Sequence, residues 1–243
     1  MAQDAPALVS VVVPAYNEKE NILPLIKEIR QALAAWRHEI LVVDDSSPDG
    51  TAALVQTEFA GEPAVRVIVR RQDPGLAKSI REGLEQARGD AVVVMDSDFN
   101  HEPRYLPIMV DALRHYDGVF GSRFLYGGKM APLSRHLLSW CFNMFVRLAT
   151  GGDITDSLYG FFAIRREVMA RCDFNLIFWG YGDYCIRLLY YLQRHKAALL
   201  QIPIVNGQRR GGTGNSAFLK VFAQYTHATL RLAWEGRLES KHT

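Results

Sequence analysis

Five short apolar runs recur along the first half of the chain, and a stretch of helical periodicity separates each from the next. ALVSVVVP, EILVVDD, AVRVIVR, AVVVMD and DGVFGSR are rich in Val and Ile and are closed by proline, charged or small polar residues, which reads as buried strands. EKENILPLIKEIRQALAAW, SSPDGTAALVQTEF, GLAKSIREGLEQARGD and PRYLPIMVDALRHY place apolar residues three and four apart, as amphipathic helices do. The second of these opens with turn residues, and Asp49 or Ser47 is a candidate N-cap. A strand without polar alternation is buried on both faces, and strands alternating with helices give a parallel sheet with a helical layer on each side. The expected class is therefore α/β: a doubly wound, mostly parallel sheet. From about Phe124 the pattern changes to longer amphipathic helices and a later apolar run, AALLQIPIV.

Ligands of open parallel sheets bind beyond the carboxyl ends of the strands. Here those ends read Pro14-Ala15-Tyr16-Asn17-Glu18, Asp44-Asp45-Ser46, Arg70-Arg71, Asp96-Ser97-Asp98 and Gly121-Ser122-Arg123. A buried carboxylate is costly unless it is paired or bound to a metal, so Asp96 and Asp98 after AVVVM belong at the open mouth of a site. The dinucleotide fingerprint GxGxxG does not follow the first strand, and no GxxxxGK[ST] occurs; the later GGTGNS is a weak phosphate signal. An acid ending the second strand suits ribose hydroxyls, the role expected of Asp45, with Asp44 left to stabilise the turn. Two carboxylates such as Asp96 and Asp98 suit Mg²⁺ or Mn²⁺ shared with substrate phosphates. Ribose binding next to a metal for a diphosphate describes a nucleotide-sugar donor.

PAYNE, VVDDSSPDGT, GLAKSI, MDSDFNHEP and GSRF, in this order, resemble glycosyltransferase family 2 and its GT-A-type fold. SPDGT, DSDFNHEP and TDSLYGFFAIRREV are similar to the subgroup of dolichol-phosphate mannose synthases and other polyprenyl-phosphate glycosyltransferases, and the likeness covers roughly residues 8–218. The resemblance implies that Pro14, Tyr16, Glu18 and Asp45 hold the nucleoside, that Asp96, Asp98 and Asn100 hold the metal, and that Arg123 faces the diphosphate or the lipid phosphate. It also implies a late Arg-x-x-Gly-x-Ser-Lys loop. QRRGGTGNSA stands there, with Arg209 or Arg210 in the arginine role, Ser216 in the serine role and Ala217 in place of the lysine. The expected organisation is one transferase domain over residues 1–215, its nucleotide half 1–123 and its acceptor half 124–215, followed by a helix and tail over 216–243.

The implied reaction is inverting transfer of a hexose, mannose from GDP-mannose foremost, to a polyprenyl or dolichyl phosphate. A phosphate acceptor is mostly ionised near pH 7, its second pKa being about 6, and needs no general base. The alternatives are a UDP-sugar donor, or a glycan hydroxyl as acceptor with Asp183 of WGYGDYC as base; a non-catalytic nucleotide-sugar-binding subunit is a further alternative that the intact Asp96-x-Asp98 pair disfavours. Asp183 can instead position the sugar or order a helix start. His101, next to the metal motif, is a ligand or a hydrogen-bonding residue.

Charge and amphipathicity point to the acceptor's surroundings. The formal net charge is only +2, yet residues 118–152 and 184–234 contain no carboxylate. A basic second half suits an anionic partner. Its segments match no base-reading motif, and an acidic sheet mouth repels phosphates without a metal, so nucleic acid is not expected. In 132–151, Leu133, Leu137, Trp140, Met144 and Leu148 share a helical face widened by Leu138, Cys141 and Phe145, with Arg135 and Arg147 flanking. In 217–234, Phe218, Phe222 and Tyr225 oppose Lys220, Gln224, His227 and Arg231. Basic aromatic amphipathic helices suit a membrane interface. No run approaches the roughly 20 apolar residues of a membrane span, and Leu8 to Val13 is too short for a signal peptide. The expectation is a peripheral protein at the cytoplasmic face of a membrane, bound directly or through a membrane-anchoring partner subunit. Cys141, Cys172 and Cys185 show no CxxC spacing and read as reduced thiols.

Overall fold

The computed structural model describes residues 4–207 and 218–239. The five apolar runs form β1 (Val9–Ala15), β2 (His38–Asp44), β3 (Val65–Val69), β4 (Ala91–Val94) and β5 (Gly118–Ser122). Between them lie α1 (Ile22–Ala32), α2 (Thr51–Glu58), α3 (Leu76–Gln86) and, after a 3-10 turn at Pro103–Tyr105, α4 (Leu106–Ala112). The chain continues through α5 (Leu133–Thr150), β6 (Phe162–Arg165), the short α6 (Arg166–Met169) and α7 (Phe174–Ile177), α8 (Tyr184–Arg194), β7 (Leu199–Pro203) and α9 (Phe218–Glu239). The run AALLQIPIV thus yields β7. All strands join one sheet in the order β3-β2-β1-β4-β6-β5-β7.

One strand departs from the alternation. β6 is antiparallel to both neighbours, β4 and β5. At four residues, FAIR is too short to show a period, and it runs straight into α6. Because only β6 is reversed, the carboxyl ends of the other strands still share one edge.

Core residues follow the pleat. Val11, Val13, Ile40, Val42 and Val93 face Ile22, Leu25, Ile26 and Ile29 of α1, Val55 of α2 and Met109 and Val110 of α4. Val12, Val43, Val92, Val94 and Phe162 face Ile80 and Leu84 of α3 and Leu188, Leu189 and Leu192 of α8. A smaller cluster joins α5, α8 and α9 through Phe142, Val146, Ile186, Tyr190 and Leu232.

The register of β1 opens the site. β1 pairs with β2 along its whole length, Val9↔His38 to Ala15↔Asp44, but with β4 only from Val9↔Ala91 to Val12↔Val94. The Val12 carbonyl accepts the last cross-strand bond, from the Met95 N–H at 3.2 Å. Alternate residues point the same way, so Pro14 lies on the β4 side just where pairing has ended. A proline has no N–H to offer a ladder, and here none is required. The order β2-β1-β4 also makes this gap the topological switch point, where ligands of open sheets bind.

The opposite edge is closed by a buried acid. Glu39 of β2 accepts from Ser10 Oγ at 2.6 Å, from the Arg88 N–H at 2.7 Å and from Arg66 Nη1 at 3.1 Å, while Ser10 Oγ accepts from the Gly89 N–H at 2.8 Å. Burial alone would raise the Glu39 pKa, but these bonds outweigh it and hold the carboxyl below its ordinary value of 4.5. A lowered folded pKa stabilises the protein above the unfolded pKa, and that stability is lost as pH falls through the folded pKa. Glu39→Gln is expected to lose about 1.5–3 kcal/mol near neutral pH. In urea titrations, the gap to the unsubstituted protein should narrow as pH falls below 4.5; a gap independent of pH would refute the assignment.

Candidate active site

The first two loops at the crevice are laced together through consecutive backbone donors. The N–H groups of Asn17, Glu18 and Lys19 donate to Ser47 Oγ, Thr51 Oγ1 and Asp49 Oδ2, each at 3.0 Å. PAYNE and SSPDGT are therefore two sides of one wall. Asp49 also accepts from the Thr51 N–H at 2.9 Å, so it caps α2 from one position before Gly50, the residue at the helix boundary. Ser47 serves Asn17 and Asp44 instead. Asp44 takes the Ser47 N–H at 2.9 Å and its hydroxyl at 2.5 Å, the turn-stabilising role expected of it.

Four residues in the loops after β1, β2, β3 and β4 hold left-handed backbone without being glycine: Asn17 (φ 58°), Ser46 (φ 56°), Asp73 (φ 53°) and Phe99 (φ 66°). Such conformations are uncommon, and for a bulky Phe strained; they concentrate at functional sites.

Each donor-side candidate has a definite place. Pro14 lies two residues past the end of the β1–β4 pairing, and Tyr16 is 59% exposed. Glu18 is buried, its Oε2 accepting from Asn21 Nδ2 at 2.7 Å. Asp45 is paired with Arg70 Nη1 at 2.6 Å and accepts from the Gly75 N–H at 2.6 Å. Those contacts use two of the carboxylate's roughly four acceptor positions.

The Asp96–Asn100 turn is built around the strained Phe99. Asp98, buried, accepts from the Asn100 N–H at 3.0 Å and from Asn100 Nδ2 at 2.8 Å. His101 is the hydrogen-bonding residue, not an outward ligand. Its Nδ1 accepts from the Asp96 N–H at 2.8 Å, which leaves Nε2 carrying the proton 3.5 Å from Asp96 Oδ2. The ring stacks on Phe161 and meets Tyr159 edge-on, and burial pushes its pKa down to about 3, so it is neutral. Asp96, by contrast, keeps 39% of its side chain exposed.

No group of three or more His, Cys, Asp and Glu with metal-binding geometry occurs among the described residues. The donor set nevertheless fits a hard cation. Two carboxylates and an amide are all oxygen donors, and Mg²⁺ keeps several waters and takes only one or two protein carboxylates. Asp96, Asp98 and Asn100 are the residues that would hold it.

Across from this turn stands Arg123. Its Nε and Nη2 make a fork with Asp156 at 2.7 and 2.9 Å, and its own N–H donates to the same carboxylate at 3.1 Å. The pair is buried, the guanidinium lies 4.7 Å from the Tyr159 ring centroid, and the Tyr159 hydroxyl donates to the Asn100 carbonyl at 3.0 Å. Burial would lower the Arg123 pKa, but Asp156 outweighs it and keeps the charge fixed. A cavity of about 240 Å³ brings together Asp96, Asn100, Arg123, Arg135, Tyr159, Tyr181, Gly182, Asn206 and Tyr225. Asp156, Tyr159 and Asn206 were not singled out from the sequence, and Arg135 was named there as flanking an amphipathic helix, not as a cavity residue. Two signals existed for Asp156: it lies in the stretch TDSLYGFFAIRREV, and after Asp153 it is the second carboxylate to follow the acid-free stretch 118–152.

Asp183 is brought near the cavity but not free within it: buried, it is ion-paired with Arg187 and accepts the Tyr181 N–H at 2.8 Å. Arg209, Arg210, Ser216 and Ala217 lie outside the described residues. The last described residue before them, Gly207, donates its N–H to the Asn100 carbonyl at 3.0 Å.

A mostly parallel sheet with an acid pair at its switch point and an arginine-lined cavity behind it is the GT-A class of glycosyltransferase. The chain belongs to glycosyl transferase family 2, whose model matches residues 10–172. It is 34% identical over 236 residues to a dolichol-phosphate mannosyltransferase of Pyrococcus furiosus, covering 95% of this chain and 65% of that protein, just under two thirds of its length. It is 33% identical over 242 residues to an undecaprenyl-phosphate mannosyltransferase of Micrococcus luteus, covering 94% of this chain and 96% of that one. The fold is shared with glucosyl-3-phosphoglycerate synthase of Mycobacterium tuberculosis, solved with Mn²⁺, UDP-glucose and phosphoglyceric acid; the TM-score is 0.70 at 20% identity, over 93% of this chain and 80% of that one.

Removing one partner of a buried ion pair leaves the other charge unpaired. Asp156→Ala is expected to destabilise the protein by about 3–5 kcal/mol in chemical denaturation, whereas a change below 1 kcal/mol would show that Arg123 does not depend on Asp156.

Proposed function

We propose that this chain transfers a hexose, mannose from GDP-mannose foremost, to a polyprenyl or dolichyl phosphate at a membrane surface, with inversion at the sugar carbon. The observation that carries this reading is the cavity. Asp96 and Asn100 stand on one wall and Arg123 on another, and the rim reaches Arg135 in the first turn of α5. The outward face of α5 is apolar: Leu133 is 80% and Leu148 79% exposed, with Leu137, Leu138 and Trp140 between them. An anionic head in the cavity and an apolar tail along α5 match a lipid phosphate. The names of the Pyrococcus and Micrococcus relatives support the same acceptor class.

On the donor side, Pro14, Tyr16, Glu18 and Asp45 hold the nucleoside, Tyr16 as an exposed ring for the base and Asp45 for the ribose hydroxyls. Asp96, Asp98 and Asn100 hold Mg²⁺ or Mn²⁺, which when bound offsets charge developing on the departing diphosphate. A phosphate oxygen of the acceptor forms the new bond to the sugar carbon as the bond to the nucleoside diphosphate breaks, and the electron pair leaves with the diphosphate. Arg123, Arg135 and Arg209 or Arg210 offset the repulsion between the two anionic substrates with paired hydrogen bonds. The acceptor is already ionised, so no side chain has to take a proton. The commitment of Asp183 to Arg187 favours this reading over a glycan hydroxyl activated by Asp183. The UDP-glucose of the Mycobacterium structure supports a UDP-sugar as the second donor reading.

Phe222 and Tyr225 of α9 pack against Phe142 of α5, while Leu230 and Trp234 of α9 stay exposed beside Leu148 of α5 and add to the apolar surface. No helix among the described residues is long and apolar enough to cross a membrane. Cys141, Cys172 and Cys185 are free thiols, in keeping with the cytoplasmic face.

A panel of GDP- and UDP-sugars with polyprenyl phosphate, with and without Mg²⁺ or Mn²⁺, tests the proposal. Turnover is expected with GDP-mannose, dependent on the cation. Asp96→Ala and Asp98→Ala should each cost about a hundredfold or more, and Asp96→Ala should not lower the melting temperature, because it removes one of two like charges. Cation-dependent turnover retained in both variants would overturn the metal assignment, and transfer to a glycan but not to polyprenyl phosphate would overturn the acceptor.

A further inference from the structure

Residues 178–183 join α7 to α8 without regular structure and contain two glycines, yet they supply Tyr181 and Gly182 to the cavity. The group that fixes them is one the proposed chemistry does not use. Arg187, one turn into α8, is 2% exposed. Its Nε donates to the Ile177 carbonyl at 2.8 Å, its Nη2 to the Trp179 carbonyl and its Nη1 to the Asp183 carboxylate. The guanidinium also lies 3.8 Å from the centroid of the Trp179 ring. Asp183 closes the circuit by accepting the Tyr181 N–H at 2.8 Å. One fork thus holds the entry, the middle and the end of a single segment.

The neighbours leave this segment little latitude. Gly180 holds φ +74°, and a Cβ on Gly182 would collide with the Tyr225 hydroxyl of α9. Arg231 of α9 approaches the Trp179 ring at 5.8 Å. Apolar side chains of similar volume fill a core at least as stably as a buried ion pair does. A planar fork that satisfies three acceptors of one loop does something an apolar residue cannot: it fixes the backbone path.

We infer that Arg187 and Asp183 form a positioning pair that sets the Tyr181–Gly182 wall and through it the seat of the acceptor. Asp183 serves as the partner of Arg187, not as a proton acceptor. The inference rests on the reading of this cavity as the acceptor site. Asp183→Asn, Arg187→Lys, their combination and Trp179→Leu test it in the full chain. Donor KM, acceptor kcat/KM and its pH profile are measured with polyprenyl phosphate and with a glycan acceptor. The acceptor that the unsubstituted enzyme uses tests the cavity reading, and the variants, compared on that acceptor, test the pair. Displacing a bound group by about 1 Å costs about a hundredfold. A loss of that order in acceptor kcat/KM is expected for Arg187→Lys, with donor KM and the shape of the pH profile unchanged. The double variant should be no worse than the poorer single one, as for two residues acting as a unit. If Arg187→Lys does not fold, as read by its melting curve, Asp183→Asn and Trp179→Leu carry the same comparison. Loss of turnover and of one limb of the pH profile in Asp183→Asn, with Arg187→Lys near normal, would make Asp183 a general base and overturn the inference; so would near-normal acceptor kcat/KM in all the variants.

Discussion

The fork between Arg123 and Asp156 organises the cavity beyond β5 and β6. Placing a guanidinium out of water is unfavourable by several kcal/mol unless its hydrogen bonds are replaced. Here Asp156 takes two side-chain nitrogens and a backbone N–H of Arg123, and the Tyr159 ring covers the guanidinium. Asn143 of α5 reaches the same carboxylate at 3.5 Å and accepts the Ser157 N–H at 2.7 Å. Tyr159 then passes the constraint to Asn100 through its hydroxyl. The end of β5, the loop before β6, α5 and the acid turn are thereby fixed by one charge pair. That charge stands on the cavity wall before any ligand arrives, the preorganisation that makes electrostatic stabilisation effective.

The loops after β1 and β2 are ordered by different means. No buried ion fork is needed where three consecutive N–H groups of one loop are taken by side chains of the next. Left-handed residues at Asn17, Ser46 and Phe99 show that the loops are held in conformations they would not choose alone. The Phe99 twist lets the Asn100 N–H and amide both reach Asp98.

The fold was legible where a local period carried it: runs of Val and Ile, and Ile22, Leu25, Ile26 and Ile29 on one face of α1. β6 escaped because four residues carry no period. The position of the acid pair and of Asp45 at the sheet mouth, and the turn role of Asp44, were legible from their place at strand ends. Asp156, Tyr159 and Asn206 were not, since each acts through partners far away in sequence. The count of basic residues also misled in part. Arg123 and Arg187 belong to the acid-poor half, yet each is paired inside the protein, with Asp156 and Asp183. On α5, periodicity correctly separated two faces, but only packing could show that Phe142, Asn143 and Val146 point inward and the Leu133–Leu148 face outward.

The early parting of β1 from β4 gives the crevice a mechanical property of its own. Beyond the bond from Met95 to Val12 no ladder bond joins the two strands, and Pro14 has none to give. The lips of the crevice can therefore spread or close around a ligand without breaking a rung of the sheet. Opening for a ligand and opening toward the unfolded state draw on different contacts, so tight binding and easy release need not be traded against the integrity of the core.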